Sequence, residues 1–222
     1  MKILATDLDR TLLPNGSWEP DAQAISLFNA LNREHDIKVV YVTGRNLALT
    51  QAAIKEYGVR TPDILVGDVG TSIRHFKDRQ WHFDEGWIRH VSQSSPRWDA
   101  GAIRTAVKDI QGLREQEAEH LNTFKQSYYV DHAQRDSVLA AVSELVEGKF
   151  DEVAIYSFDS VDNKGLLDFL PNSATKQTAL EYVADELGCP RDEVVFCGDS
   201  GNDIFPLTAG FSGVLVRNAD EQ

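Results

Sequence analysis

A chain of 222 residues with ordinary apolar content (42 %) is long enough for one large domain, or for a domain that carries a smaller one. Its formal net charge of −13 argues against non-specific binding to nucleic acid and gives no sign of attachment to a membrane surface. The two cysteines, Cys189 and Cys197, stand at no metal-ligand spacing, and neither a signal peptide nor an apolar run of membrane length is found; a reducing, cytoplasmic setting is expected.

In chain order, Lys2–Thr6 reads as a short buried strand. Pro20 to about Glu34 reads as a helix with Ile25, Phe28 and Leu31 on one face. "KVVYV" at 38–42 is a second strand, and 46–57 is a helix that ends at Gly58, a good residue for the left-handed turn after a helix. "DILVG" at 63–67 is a third strand. This β-α-β-α-β order predicts a parallel sheet covered by helices. The middle changes grammar. "TSIRHF" and "QWHFDEG" predict a hairpin, followed by a helix near Arg97–Ile110, a strand in "TFKQSYYV", a helix at 134–146 and a strand in "VAIYSF". Trp81, Trp87 and Trp98 fall in this stretch (only Trp18 does not) and are expected in cores. After Pro171 the first grammar returns, with a helix over 175–187, the strand "EVVFCG" (Cys197 a small core residue), a helix in "NDIFPLTAG" and the strand "GVLVRN". The fold class is therefore α/β: a doubly wound, Rossmann-like parallel sheet over 1–77 and 169–222, interrupted by an α+β insertion over 78–168. Its hinges are expected near Gly70–Ser72 and Phe169–Asn172.

The strands of the parallel part finish at polar residues. The first leads into Asp7 and Asp9, the second into "VTGR" with Thr43, Gly44 and Arg45, and the fourth into "GDSGND" with Asp199, Asn202 and Asp203. Ligands of open parallel sheets bind beyond the carboxyl ends of the strands, so these side chains converge on one rim. Lys176, at the start of a helix, reaches the same rim. Carboxylates without His or Cys nearby suit Mg²⁺, which pairs with substrate phosphate. A carboxylate can also attack phosphorus and form an aspartyl-phosphate. Thr43, Lys176 and loop N–H groups can hold the equatorial oxygens, and the second acid of the opening pair can serve as general acid and base.

The motifs "DLDRT", "VTGR", "NSATKQTAL" and "GDSGND" resemble those of the haloacid dehalogenase-like phosphatases. The insertion after the third strand is similar to the subgroup with a C2-type cap. Within it, "NTFKQSYYVD", "DFLPNSATKQTAL" and "VVFCGDSGNDI" resemble the sucrose-phosphate phosphatase family. The resemblance implies Asp7 as nucleophile and Mg²⁺ ligand. It implies Asp9 as general acid/base, ligating the metal through its backbone carbonyl, and Asp199 as a further ligand. Asp203 would orient Lys176 or a metal-bound water and counts with the metal-site acids. Thr43, Gly44, Arg45, Lys176 and Asn202 would bind phosphate. Arg10 departs from the usual Gly or Asn of that family and is read as pointing to solvent. The chain ends at Gln222, where the family usually continues, so it is expected to be trimmed or naturally short.

The resemblance makes a small-molecule sugar phosphate the expected partner, sucrose 6-phosphate first, with mannosyl-glycerate or mannosyl-fructose phosphates behind. A monomer is expected. Asn122, Lys125, Ser127 and Tyr128, on the strand of the insertion, are the candidate sugar ligands, with Tyr129 as an alternative to Tyr128. Two rivals stay open. A sugar phosphomutase shares the cap type. A phosphoaccepting receiver module shares the acid cluster, Thr and Lys, but its phosphorylated Asp follows the third strand, where this chain has Asp68.

Overall fold

Short apolar runs without alternation make strands buried on both faces, and here they build the parallel centre of a sheet. The computed structural model describes residues 1–16, 19, 21–31, 36–159, 164–199 and 201–219. β1 (Lys2–Thr6) is followed by α1 (Ala24–Ala30), β2 (Ile37–Val42), α2 (Leu47–Tyr57) and β3 (Ile64–Gly67). Pro20 and Glu34, the expected ends of the first helix, lie outside the described residues. Within them, Ile25 and Phe28 pack inward as expected, whereas Leu31 is 50 % exposed. Local chemistry fixes α2 at both ends. The Asn46 side chain accepts the Leu49 N–H, and Gly58 takes the left-handed conformation at φ 65°.

β4 (Ser72–Lys77) and β5 (Gln80–Phe83) form the expected hairpin, turning through Asp78 and Arg79, both at positive φ. β4 pairs antiparallel with β3, so the hairpin extends the parallel sheet. The complete order is β11-β10-β1-β2-β3-β4-β5, with β10 (Val194–Gly198) and β11 (Ser212–Leu215) supplied by the end of the chain. Val39, Tyr41 and Leu65 face α1 and α2, and their neighbours Val40, Val42, Ile64 and Val66 are buried on the opposite face. α6 (Lys176–Glu186) touches β3, and α7 (Ile204–Thr208) touches β10 and β11.

The chain divides into two compact units, Met1–Trp87 with Lys176–Gln222, and Ile88–Thr175. The break after residue 77 therefore moves. β5 and Trp87 belong to the first unit, 169–175 belong to the second, and the division falls inside α3 (Glu85–Ser94) and at the start of α6. Gly70–Ser72 leads into β4 and Phe169–Pro171 ends β9, so neither expected hinge lies between units. α3 was not foreseen; Asp84 accepts the Trp87 N–H at 2.8 Å and caps its first turn.

The second unit has α4 (Ala100–Val107), β6 (Leu113–Glu115), β7 (Gln126–Val130), α5 (Arg135–Val146), β8 (Glu152–Asp159) and β9 (Lys164–Pro171). Its antiparallel sheet runs β6-β7-β9-β8. Tyr128, Val130, Leu167 and Phe169 leave one face and pack on Ile103 and Val107 of α4 and on Val138, Val142 and Val146 of α5. The three valines recur every fourth residue, the spacing of one helix face. Trp87 is fully buried and Trp98 packs against this second core, as expected for core aromatics.

Candidate active site

Asp7 is the first residue beyond β1. Strand order runs outward from this point in both directions, through β10 and β11 on one side and β2 and β3 on the other, which is where open α/β sheets bind ligands. Its N–H donates to the Cys197 carbonyl at the end of β10, 2.9 Å away. Lys176 opens α6 and is 2 % exposed. Its Nζ donates to Asp7 Oδ1 at 3.0 Å and to Asp203 Oδ1 at 2.8 Å. Asp203 is wholly buried, and its Oδ2 accepts the Asp199 N–H at 3.1 Å. Both of its oxygens are thus engaged. Gly198 is required for this approach, since a Cβ there would lie 2.7 Å from the Asp203 Cβ.

Two arginines join the cluster. Arg10 Nη2 is 2.6 Å from Asp199 Oδ2, so Arg10 turns inward, not to solvent as expected; a buried carboxylate next to other acids attracts the nearest cation. Its backbone takes φ 59°, a strained value for Arg. The Asn15 side chain accepts its N–H and Asn218 donates to its carbonyl. Arg45 was expected on phosphate. The structure pairs it with Asp9, Nε to Oδ2 at 2.9 Å and Nη2 to Oδ1 at 2.6 Å. Asn15 donates to the same carboxylate. The acids Asp7, Asp9, Asp199 and Asp203 thus meet three cations among the described residues, Lys176, Arg10 and Arg45.

The protonation tendencies follow. Burial pushes Asp7 up to about 8, Lys176 opposing and Asp203 and Asp9 adding to the shift. Burial also works against the Lys176 ammonium, but Asp203 and Asp7 outweigh it and hold its pKa above the ordinary value. At Asp9, burial is outweighed by the hydrogen bond and charge of Arg45, so its carboxyl stays below the usual range. One more positive charge beside Asp7 would let it ionise readily. Asp7, Asp199 and Asp203 each offer a carboxylate oxygen within 4.8 Å of the others, all buried. An all-oxygen set of this size fits Mg²⁺. Asp9 is absent from that group.

Thr43 is fully buried at the end of β2, and its Oγ1 accepts the Arg45 N–H at 3.2 Å, leaving the hydroxyl proton to be donated. Gly44 follows; a Cβ there would meet nothing closer than Val69 at 3.8 Å, so space alone does not demand glycine. The turn is held from below by Val69, whose N–H donates to the Thr43 carbonyl, and by Asp68, whose N–H donates to that of Arg45. Both have positive φ, 53° and 62° for Asp68 and Val69, and a β-branched residue there marks local strain. The Asp68 carboxylate accepts from Ser72 at 2.7 Å and lies outside the acid group, which disfavours the receiver reading. Asn202 lies half-buried in the helical turn Gly201–Asp203.

In the second unit, Lys125 and Ser127 leave the sheet face opposite α4 and α5, with Asp168 across the β7–β9 pair. All three are buried. Ser127 donates to Asp168, and Lys125 Nζ is 3.8 Å from it. Asn122 instead shapes the turn before β7, its side chain accepting the Phe124 N–H at 2.8 Å. Tyr128 is corrected. Strand parity sends it to the helix-covered core, edge-on to Phe169 with ring centroids 5.7 Å apart. Tyr129 shares the Ser127 face, and its hydroxyl donates to Glu117. Asp168 was missed because a lone acid inside an apolar strand gives no motif. Asn15 was missed too, though "PNG" marks its turn.

Comparison with known proteins decides the family. A family model described as sucrose-6F-phosphate phosphohydrolase matches residues 1–222. The chain belongs to the sucrose-6F-phosphate phosphohydrolase family. It is 37 % identical over 222 residues to a HAD-like hydrolase of Nitrosococcus oceani, covering 99 % of this chain and 60 % of that protein. It is 29 % identical over 228 residues to sucrose-phosphatase 1 of Nicotiana tabacum, covering 99 % of this chain and 51 % of that one. The chain spans about half the length of the curated relatives it matches. Among solved structures, the sucrose-phosphatase from Synechocystis sp. PCC6803 in complex with sucrose and phosphate matches with TM-score 0.83 and 27 % identity, over 99 % of this chain and 84 % of that one. The haloacid dehalogenase-like fold expected from the four motifs is thereby established.

Proposed function

We propose that this member of the family is a Mg²⁺-dependent sugar-phosphate phosphatase that acts through an aspartyl-phosphate on Asp7, with sucrose 6-phosphate as substrate. The observation that carries the reading is Lys176, which bridges Asp7 and Asp203 from inside the acid cluster at 3.0 and 2.8 Å. An ammonium so placed orients the nucleophile and balances charge where a phosphate dianion must arrive. Asp7, Asp199 and the Asp203-oriented shell would hold Mg²⁺, whose charge offsets the repulsion between carboxylate and phosphate. Asp7 forms the bond to phosphorus as the bond to the sugar oxygen breaks, and the leaving oxygen takes the Asp9 proton. Asp9 then takes a proton from water, which attacks the acyl phosphate and restores the Asp7 carboxylate. Arg45 disfavours the protonated form of Asp9. An incoming phosphate dianion offers the guanidinium a bidentate alternative partner and frees Asp9 for its acid role.

The second unit would read the sugar, with Lys125, Ser127 and Asp168 as its polar group, and the Synechocystis complex with sucrose and phosphate supports that substrate class. Phosphate release over a panel of sugar phosphates, with Mg²⁺ or with a chelator, tests the proposal. Sucrose 6-phosphate should be turned over best, only with the metal, and Asp7→Asn should abolish release. Release by Asp7→Asn at the wild-type rate would sink the mechanism. Preference for a mannosyl-fructose phosphate would change the substrate and leave the chemistry standing, and isomerised sugar phosphate in place of free sugar would mark a mutase.

A further inference from the structure

A second group of side chains of metal-ligand type, among the described residues, lies at the hairpin end of the first unit's sheet. His75 stands on β4, Asp84 just past β5 and Glu186 at the last residue of α6, and one ligand atom of each lies within 4.8 Å of the others. His75 Nε2 is 2.8 Å from Asp84 Oδ2. That is a direct hydrogen bond; two ligands about 2.0–2.2 Å from one tetrahedral ion stand somewhat farther apart, so the pair would open slightly to admit it. The Tyr182 hydroxyl, one turn before Glu186, is 3.3 Å from Asp84 Oδ1 and 3.2 Å from Glu186 Oε1. It has a single proton to give to two carboxylates. An imidazole beside them supplies at most one positive charge against two negative ones.

Strand register brings a second imidazole. His75 and His82 are direct partners across β4 and β5, so both leave the same face of the sheet. Asp84, whose N–H donates to the Ile73 carbonyl opposite, continues that face two residues on. Asp84 is buried and His82 exposed, so this face runs from a buried carboxylate outward to a ring at the surface. Gly86 is what lets Tyr182 close over it, because a Cβ there would lie 2.5 Å from the Tyr182 hydroxyl.

We propose that His75, Asp84 and Glu186 bind a divalent transition metal of the zinc and cobalt class; the exposed His82 ring on the same face would have to turn toward the ion to add a fourth ligand. Imidazole nitrogen with carboxylate oxygen suits such ions, whereas Mg²⁺ takes oxygen ligands. The two metal sites of the first unit thus differ in donor chemistry as well as in place. An ion here ties the β4–β5 hairpin to the C-terminal end of α6, the helix whose first residue is Lys176.

The test uses tag-free full chain with Mg²⁺ in excess. Co²⁺ alone is titrated in and followed by visible absorption, and Zn²⁺ alone is followed by calorimetry and thermal unfolding. The expected result is one Co²⁺ per chain with bands of nitrogen ligation, and a Zn²⁺-dependent rise in Tm. His75→Gln and Glu186→Gln should each weaken uptake at least roughly tenfold. Glu186 is exposed, so the second variant tests the site even if the first folds poorly. Asp199→Asn should leave uptake intact. No saturable Co²⁺ uptake in the wild type, or uptake lost with Asp199→Asn and kept with His75→Gln, would overturn the assignment. Uptake is read without substrate, so its failure leaves the phosphatase reading untouched, and a failed phosphate-release assay leaves this one.

Discussion

Lys176→Met removes the cation that bridges Asp7 and Asp203, and its cost can be reasoned from the geometry. Lys176 is 2 % exposed and Asp203 is wholly buried, so water cannot replace the lost ammonium. Removing one partner of a buried ion pair costs about 3–5 kcal/mol. Here Asp7 limits the damage, because burial has pushed it up to about 8, so that near pH 6 it already holds its proton and Asp203 is the carboxylate left without its ammonium. Near pH 6 the loss should lie at about 3 kcal/mol, which for a chain of this size is a fall in Tm of roughly 6–12 °C. A carboxyl whose folded pKa is raised contributes stability below its unfolded value and loses it as pH rises through the folded one. Lys176 opposes that rise in the wild type and no longer does so in the variant, whose Asp7 must stay protonated to higher pH, so the variant should fare worse, relative to wild type, at pH 8 than at pH 6. Thermal unfolding in a chelator, followed by circular dichroism at both pH values, measures this. Adding Asp203→Asn should return part of the loss, since the two sites are directly coupled. A Tm within roughly 2 °C of wild type at both pH values would refute the reasoning that Lys176 holds the cluster together.

Arg10→Gln removes the ion pair with Asp199 and keeps the strain at φ 59°; stability by urea unfolding should drop by about 1.5–3 kcal/mol. Arg10→Gly should recover some of it, because glycine accepts that backbone freely. Asp84 is held below the usual carboxylate range, burial being outweighed by His75 and the Trp87 N–H. Its contribution is complete above about pH 4 and drains away as pH falls through the lower folded value, so Asp84→Asn should flatten the acid limb of a chelator-treated unfolding profile below that pH. Lys125→Met should lower kcat/KM on sucrose 6-phosphate by roughly ten- to a hundredfold and barely change the rate on a small generic phosphate ester; equal losses on both would remove Lys125 from sugar recognition.

The parallel centre of the fold was legible because its strands are buried on both faces, which leaves continuous apolar runs such as "KVVYV". α2 was legible because Asn46 and Gly58 mark its ends chemically. β9 was not, since "LLDFLP" carries Asp168 in its middle and a proline at its end, and only pairing with both β7 and β8 makes it a strand. α3 was missed because its cap, Asp84, reads equally well as a turn residue. In the site, residue types and strand ends could be read directly, because polar residues follow each apolar run of the parallel strands. Pairings could not. Whether Arg10 meets Asp199 and Arg45 meets Asp9 depends on side-chain reach between segments far apart in sequence. The choice between Tyr128 and Tyr129 turns on which sheet face the helices cover, and alternation alone is silent on that.

The first unit is assembled from two stretches of chain, Met1–Trp87 and Lys176–Gln222, while the second is contiguous. On a ribosome this sets an order of events. β1, β2 and β3 emerge early, yet the neighbour that β1 needs on its other side, β10, is made nearly two hundred residues later. Until then one long edge of β1 stays unpaired, an invitation to aggregation. The contiguous unit can close from local contacts as soon as its own residues are out, whereas the sheet must wait for long-range ones, which form slowly. Asp7 therefore acquires Lys176 and Asp203 only after the whole second unit has been made, and until then it lacks the ammonium that it meets in the folded protein.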